Sequence, residues 1–298
     1  MNAMKRKISY LLLLLLIGLT VQAQESNLEK YTPSVLLEKG TWDFLSFYSI
    51  YTQTQVRDRE GDEVALGQRQ SFLNAMYQVT YGVSESGRFN IGFDVHVNRA
   101  YYDEDEGSPL NVLWFGEGDF SRTVVSAIGP RIRFVPVPSI PTLSIQSSFL
   151  FPVASDLEAP FFTAHDRYTW FTQLFYDLRL NTKWRIFMEV DFLYRLKRNE
   201  EQVNFFRTPA SAFLSYFPTS RTTLFGFAQY SPRFQNLSNE VEERFGFSNW
   251  FTQIGIGGRY QLMPNLSVEL AYGNFVASRQ DGAGYTLNLG LRYIKQRN

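Results

Sequence analysis

Apolar and polar residues alternate with a period of two through most of the chain. The pattern is clearest from Trp184 to Lys197, WRIFMEVDFLYRLK. Trp184, Ile186, Met188, Val190, Phe192, Tyr194 and Leu196 form one series. Arg185, Glu189, Asp191, Arg195 and Lys197 form the other, with Phe187 and Leu193 between them. This period predicts a β-strand with one greasy face and one ionic face. Soluble strands average about 5–6 residues, whereas a strand crossing a bilayer obliquely needs about 9–11. This strand is long enough to cross.

The same reading predicts eleven more strands, over 41–55, 71–82, 88–101, 121–135, 142–152, 168–180, 204–217, 221–231, 249–262, 266–277 and 285–294. In the third strand Phe89, Ile91, Phe93, Val95 and Val97 oppose Asn90, Gly92, Asp94, His96 and Asn98. Ile128, Ile132 and Phe134 oppose Arg131 and Arg133 in the fourth, and Trp170, Leu174, Tyr176 and Leu178 oppose Gln173, Asp177 and Arg179 in the sixth. Near the end of the chain Arg259, Glu269 and Arg292 alternate with Tyr260, Leu270 and Tyr293. Strands one, eight and nine are aromatic-rich or mixed on both faces, and the pattern leaves their orientation open.

Long or polar connections fall near 56–70, 102–120, 153–167, 198–203, 232–248 and 278–284. Short ones fall near 83–87, 136–141, 181–183, 218–220 and 263–265. This rhythm predicts an all-β, antiparallel up-and-down transmembrane β-barrel of about twelve strands, with short turns and both termini on one side and longer loops on the other. No stretch after the N-terminus reaches the roughly 18–20 apolar residues of a membrane helix, so a span requires a closed barrel.

Alternation alone does not say which face is enclosed. Aromatic spacing does: Trp184 and Tyr194, Trp250 and Tyr260, and Tyr285 and Tyr293 sit near opposite ends of their apolar faces. At about 3.3 Å per residue and a tilt of about 40°, these gaps span about 20–25 Å, the height of a lipid-facing band between aromatic girdles. Basic residues on a lipid face cost about 2–4 kcal/mol each near the midplane. The expected lumen-lining residues are therefore Asp94, His96, Arg131, Arg133, Asp177, Arg179, Arg185, Glu189, Asp191, Arg195, Arg259, Glu269 and Arg292.

The N-terminus adds an address. Lys5, Arg6 and Lys7 precede the apolar run Tyr10 to Leu19, and Val21-Gln22-Ala23 is a small-x-small cleavage site. Residues 1–23 read as a signal peptide, 24–39 as a periplasmic lead-in and 40–298 as the barrel. Removing the signal leaves 26 basic against 29 acidic residues, a balance that argues against a nucleic-acid partner. With no Cys, disulfides and thiolate metal sites are excluded.

Candidate chemistry is sparse. His96 stands beside Asp94 and Asn98 on a polar face, and His165 lies in a loop with Asp166 and Arg167. A twelve-stranded outer-membrane phospholipase uses Ser, His and Asn and places a Ser two residues after its His; Asn98 holds that position here. The acidic run Asp103 to Glu106 reads as a solvated loop, without the spacing of a calcium loop. No phosphate loop, dinucleotide fingerprint or nucleophile elbow is present. No enzyme, cofactor or metal is expected.

The leader, LEKGTWDF, the first-strand segment YSIYTQTQ and the closing YTLNLGLRY together resemble uncharacterised outer-membrane β-barrels of Gram-negative bacteria, of the transporter type. The resemblance implies the cell outer membrane, contact with its lipid, and barrel-assembly machinery as partner during biogenesis. Such barrels commonly end in an aromatic residue, whereas here Tyr293 is followed by five more residues. The expected function is passive passage of a small solute that the sequence does not name. A structural or adhesive barrel acting through its outer loops, or a membrane-embedded lipid hydrolase, are the alternatives.

Overall fold

The computed structural model describes residues 36–103, 105–115, 120–154, 167–198, 202–236 and 245–296. The signal peptide, residues 24–35 of the lead-in, Glu104 and His165 lie outside them. The strands are β1 Trp42–Arg57, β2 Glu63–Gly82, β3 Phe89–Tyr102, β4 Ser121–Phe134, β5 Leu143–Pro152, β6 Thr169–Arg179 and β7 Trp184–Arg195. They continue with β8 (Phe205–Arg207 and Ala210–Thr219), β9 Thr222–Asn236, β10 Phe245–Met263, β11 Leu266–Arg279 and β12 (Asp281–Gly282 and Tyr285–Lys295).

Each strand pairs antiparallel with its chain neighbours, and β12 pairs with β1, which closes the sheet. Both pieces of β8 pair with β7 and β9, so they are one strand broken at Thr208-Pro209. The two pieces of β12 both pair with β1. The architecture is a closed twelve-stranded up-and-down barrel, as the alternation predicts. Closure leaves no unpaired strand edge, the condition for a sheet to survive in lipid.

Three connections are much shorter than the sequence reading expects. Residues 56–70 are mostly strand: β1 runs to Arg57, and β2 starts at Glu63. The remaining turn is held by Asp58, whose Oδ1 accepts from the N–H groups of Glu60, Gly61 and Asp62 at 3.0, 2.9 and 2.9 Å. Likewise β9 runs to Asn236 and β10 starts at Phe245. Between β11 and β12 only Gln280 turns the chain, with a φ of 51°. The reason is common to all three. These strand ends lie at or beyond the rim of the apolar band, so the contrast between two solvents fades and the period of two weakens although the ladder continues. Pro232, a strand breaker in a soluble sheet, sits within β9 opposite Trp250.

The structure also assigns the three strands whose faces the pattern left open. Trp42 and Phe44 of β1 are exposed while Asp43 is buried. Leu214 of β8 and Leu224 and Tyr230 of β9 are exposed, while Ser211, Thr223 and Ser231 are buried. Phe47, Phe213, Phe225 and Phe227 therefore face inward. At the end carrying the termini, residues 36–39 enter the barrel mouth. Leu36 and Leu37 are buried, the Leu37 N–H donates to Asn90 Oδ1 at 2.9 Å, and Asn90 Nδ2 donates to the Leu37 carbonyl at 2.9 Å.

Candidate functional site

The outer wall is apolar. Ile91, Phe93, Ile132, Trp170, Val190, Phe192, Leu214, Ile254, Ile256 and Leu270 are all exposed. Aromatic residues collect at both of its edges. At the end of the short turns Trp184 packs tilted against Tyr216, with ring centroids 4.8 Å apart, Tyr293 lies 6.3 Å from Phe44, and Tyr260 is exposed. At the far end Tyr194 lies 6.3 Å from Phe245, Trp250 5.8 Å from Tyr230, and Tyr285 5.7 Å from Tyr272. A barrel that turns this surface to its surroundings has the exterior of a membrane protein.

The inner wall carries charge in a repeated arrangement. Arg131 of β4 lies 3.1 Å from Asp94 of β3, and Arg185 of β7 lies 3.2 Å from Asp177 of β6. Arg259 Nε of β10 donates to Glu269 Oε2 of β11 at 2.9 Å. Arg292 of β12 grips Asp43 of β1 with Nε to Oδ1 at 3.0 Å and Nη2 to Oδ2 at 2.8 Å. All four pairs join strands that are already neighbours in the ladder. They run along the wall instead of bridging the lumen.

Around the first pair the inside is tightly filled. Asp94, His96, Asn98 and Arg131 are each no more than 6% exposed. Ser148 Oγ donates to Asp94 Oδ2 at 2.8 Å, and Arg131 Nη2 donates to Thr80 Oγ1. Gly92 lets both the β2 backbone and this arginine come close: a Cβ there would stand 2.6 Å from the Val79 carbonyl and 3.1 Å from Arg131 Nε and Nη2. Ser126 Oγ donates to the backbone carbonyl of His96 at 3.3 Å and accepts from Asn98 Nδ2. A polar relay continues around the wall, from Gln146 Nε2 to Gln173 Oε1 at 2.8 Å and from Gln173 Nε2 to Glu189 Oε1 at 2.6 Å. Asp191 is buried two residues on. Arg133 donates to Ser144 Oγ at 3.2 Å and lies 4.8 Å from the Phe175 ring.

Arg195 joins a cluster of arginines around one ring, within electrostatic reach of His96. It approaches the Phe205 ring at 5.2 Å, as do Arg167 at 5.4 Å and Arg233 at 4.0 Å. Arg207 beside them pairs with Asp281 at 2.8 Å. Arg179 is exposed beside the β6–β7 turn instead of being enclosed. Asp103 of the acidic run accepts from Asn111 Nδ2 at 2.7 Å. Among the described residues no group of three or more His, Cys, Asp or Glu could hold a metal ion.

Interleaved with the charges on β6 and β7, and continuing across β8 to β9, is a feature the alternation pattern obscures, an inward row of aromatic rings. Phe175 and Phe187 lie 5.7 Å apart, Phe187 and Phe213 5.8 Å, Phe213 and Phe227 5.3 Å, and Phe213 and Phe225 6.0 Å. The rings of Phe225 and Phe227 lie over Gly257 and Gly255, where any Cβ would collide with them. The available signal was Phe187, an apolar residue on an otherwise ionic face, together with glycine on the polar face of β10.

The solved structures place this architecture. An outer membrane channel of Pseudomonas putida F1 superposes with a TM-score of 0.66 at 11% identity, over 93% of this chain and 100% of that one. This is the outer-membrane β-barrel fold. The β domain of the Bordetella autotransporter BrkA shares it, with a TM-score of 0.52 at 13% identity, over 85% of this chain and 98% of that one. No model of a known protein family matches the sequence, and no curated protein matches it either. Channels and an autotransporter domain thus share this outer-membrane barrel, so its function has to be argued from its own lumen.

Proposed function

We propose that this protein is a narrow outer-membrane channel through which small solutes pass passively. The observation that carries the reading is the direction of the ion pairs in the barrel wall: Asp94–Arg131, Asp177–Arg185, Glu269–Arg259 and Asp43–Arg292 each link adjacent strands, while Arg207–Asp281, which joins the non-adjacent β8 and β12, stands at the end of the outer loops. A barrel built as a solid anchor would gain most from pairs tying opposite walls. Pairs along the wall brace the ladder and present alternating charge to whatever occupies the lumen, as rings of charge do in selective pores. The tight packing at Asp94, His96 and Arg131 argues for a small solute instead of a wide hydrated pore. His96 faces this interior, away from lipid, and the Ser126 hydroxyl bonds its backbone carbonyl. That arrangement favours passage over lipid hydrolysis. Single-channel recording in planar bilayers tests the proposal: small, discrete conductance steps are expected. A reconstituted barrel silent in every salt overturns it in favour of a structural or adhesive role.

A further inference from the structure

Residues 105–115, in the connection between β3 and β4, pack against the barrel. They contain a 3-10 helix, Pro109–Leu113, capped by Ser108. Val112 of this helix is fully buried against Ile50 and Leu73, with Tyr48, Tyr101 and Leu287 around it. These partners belong to the outward face: Ile50 stands opposite Leu73 in β2 and Leu287 in β12. The segment is therefore a strap laid on the outside of the wall. Ile50 lies eight residues along β1 from Trp42, which stacks 6.2 Å from Phe44 at the short-turn edge, a rise of about 20 Å at about 3.3 Å per residue and a tilt of about 40°. The apolar band is about 25 Å tall, so the strap docks within its outer part.

Two outward arginines hold it there. Arg99, opposite Leu73 in the β2–β3 ladder, is only 3% exposed. Its Nε donates to the Val112 carbonyl at 2.8 Å, its Nη1 to Thr123 Oγ1 at 2.6 Å and its Nη2 to the Trp114 carbonyl. Arg69 Nε donates to the Gly107 carbonyl at 2.5 Å. The strap also satisfies three of its own donors. The N–H groups of Asn111 and Trp114 reach the carbonyls of Ser108 and Asn111 at 3.0 Å each, and the Leu110 N–H reaches Ser108 Oγ at 3.3 Å. Irregular backbone survives at membrane depth only where protein groups satisfy it in this way.

The face turned away from the barrel is apolar. Leu110, Leu113, Trp114 and Phe115 are 49%, 45%, 76% and 65% exposed, and the outward residues Val125 and Phe93 of the strands that the strap connects are exposed as well. We propose that the strap is a membrane-inserted wedge: its occupant is the acyl chains of the outer leaflet, into which Leu113, Trp114 and Phe115 insert. The inference goes beyond the channel reading and stands whether or not the lumen conducts.

The absence of Cys from the sequence makes the test direct. Trp114→Cys and, separately, Leu113→Cys are labelled with a bimane fluorophore in the full mature barrel, with Ser220→Cys in the exposed β8–β9 turn as reference. The proteins are reconstituted into phosphatidylcholine vesicles carrying nitroxide on the upper acyl chain. The expected result is several-fold stronger quenching by lipid nitroxide than by aqueous iodide at 113 and 114, with the order reversed at 220. Preferential quenching by iodide at both strap positions overturns the proposal. Efficient disulfide cross-linking of unlabelled Trp114→Cys between barrels also overturns it, by giving this face to a second copy of the chain.

Discussion

Arg131 Nη1 lies 3.1 Å from Asp94 Oδ1 on the lumen face of the β3–β4 ladder, and each side chain is only 3% exposed. Such a pair contributes little net stability while intact, because desolvating both charges offsets their attraction, but removing one partner strands the other. Asp94→Asn is therefore expected to destabilise the barrel by about 3–5 kcal/mol. Asp94→Asn combined with Arg131→Met should recover most of that loss. Urea unfolding of the reconstituted protein measures both. A single mutant as stable as the parent would mean that water reaches this site freely.

The Arg259–Glu269 pair makes the contrasting case. Its side chains are 22% and 24% exposed, so the pair is expected to behave more like a surface bridge, worth about 0–1 kcal/mol. Glu269→Gln should leave the unfolding midpoint nearly unchanged. It should shift the reversal potential across a salt gradient toward anion preference, because the lumen loses the Glu269 charge while Arg259 keeps its own. An unchanged reversal potential would place this pair outside the conducting path.

How far the sequence exposes this architecture depends on where each strand meets two different solvents. From Trp184 to Arg195 one face meets apolar surroundings and the other a polar interior, so the period of two is plain. At Arg57 and Glu63, whose side chains bond at 2.7 Å, the hairpin lies at or beyond the rim of the apolar band, the contrast fades and the strands read as loop. The aromatic row failed to register for the opposite reason: Phe187, Phe213 and Phe227 look inward although their composition suggests lipid, and two-sided aromatic strands carry no usable alternation. The strap escaped notice because its decisive partners, Arg69 and Arg99, occupy outward positions that the alternation rule reserves for apolar residues. Only the three-dimensional position of Val112 explains how a lipid-side wall carries them.

The aromatic row is expected to set the width of the lumen. Phe213 lies at its centre, in ring contact with Phe187, Phe225 and Phe227. Phe213→Ala removes the shared ring and should raise single-channel conductance. Gly257→Ala should act in the opposite direction, because its Cβ meets the Phe225 ring first and drives it inward, at a stability cost of about 1–3 kcal/mol from overpacking. Both readouts come from planar-bilayer recording with paired unfolding curves. If neither variant changes conductance, the permeating path does not pass this row.

The lead-in segment provides the last test, since it sits in the mouth at the end of the short turns. Asn90 holds Leu37 through two hydrogen bonds, each 2.9 Å long, and a Cβ on Gly82 would strike the Glu38 carbonyl. Both neighbours thus specify a close fit for residues 37 and 38. Asn90→Ala leaves the buried Leu37 N–H and carbonyl without these partners, a penalty of about 1–3 kcal/mol per stranded group. That penalty falls on the docked segment alone, because the β2–β3 ladder at Gly82 and Asn90 uses backbone groups. The segment should therefore undock while the barrel stays closed. Expected outcomes are faster protease cleavage near residues 36–41, higher or noisier conductance, and an unchanged global unfolding curve. Gly82→Ala should reproduce all three by displacing the chain sterically. Cleavage at the parental rate in both variants would show that the segment is held by contacts other than Asn90 and Gly82.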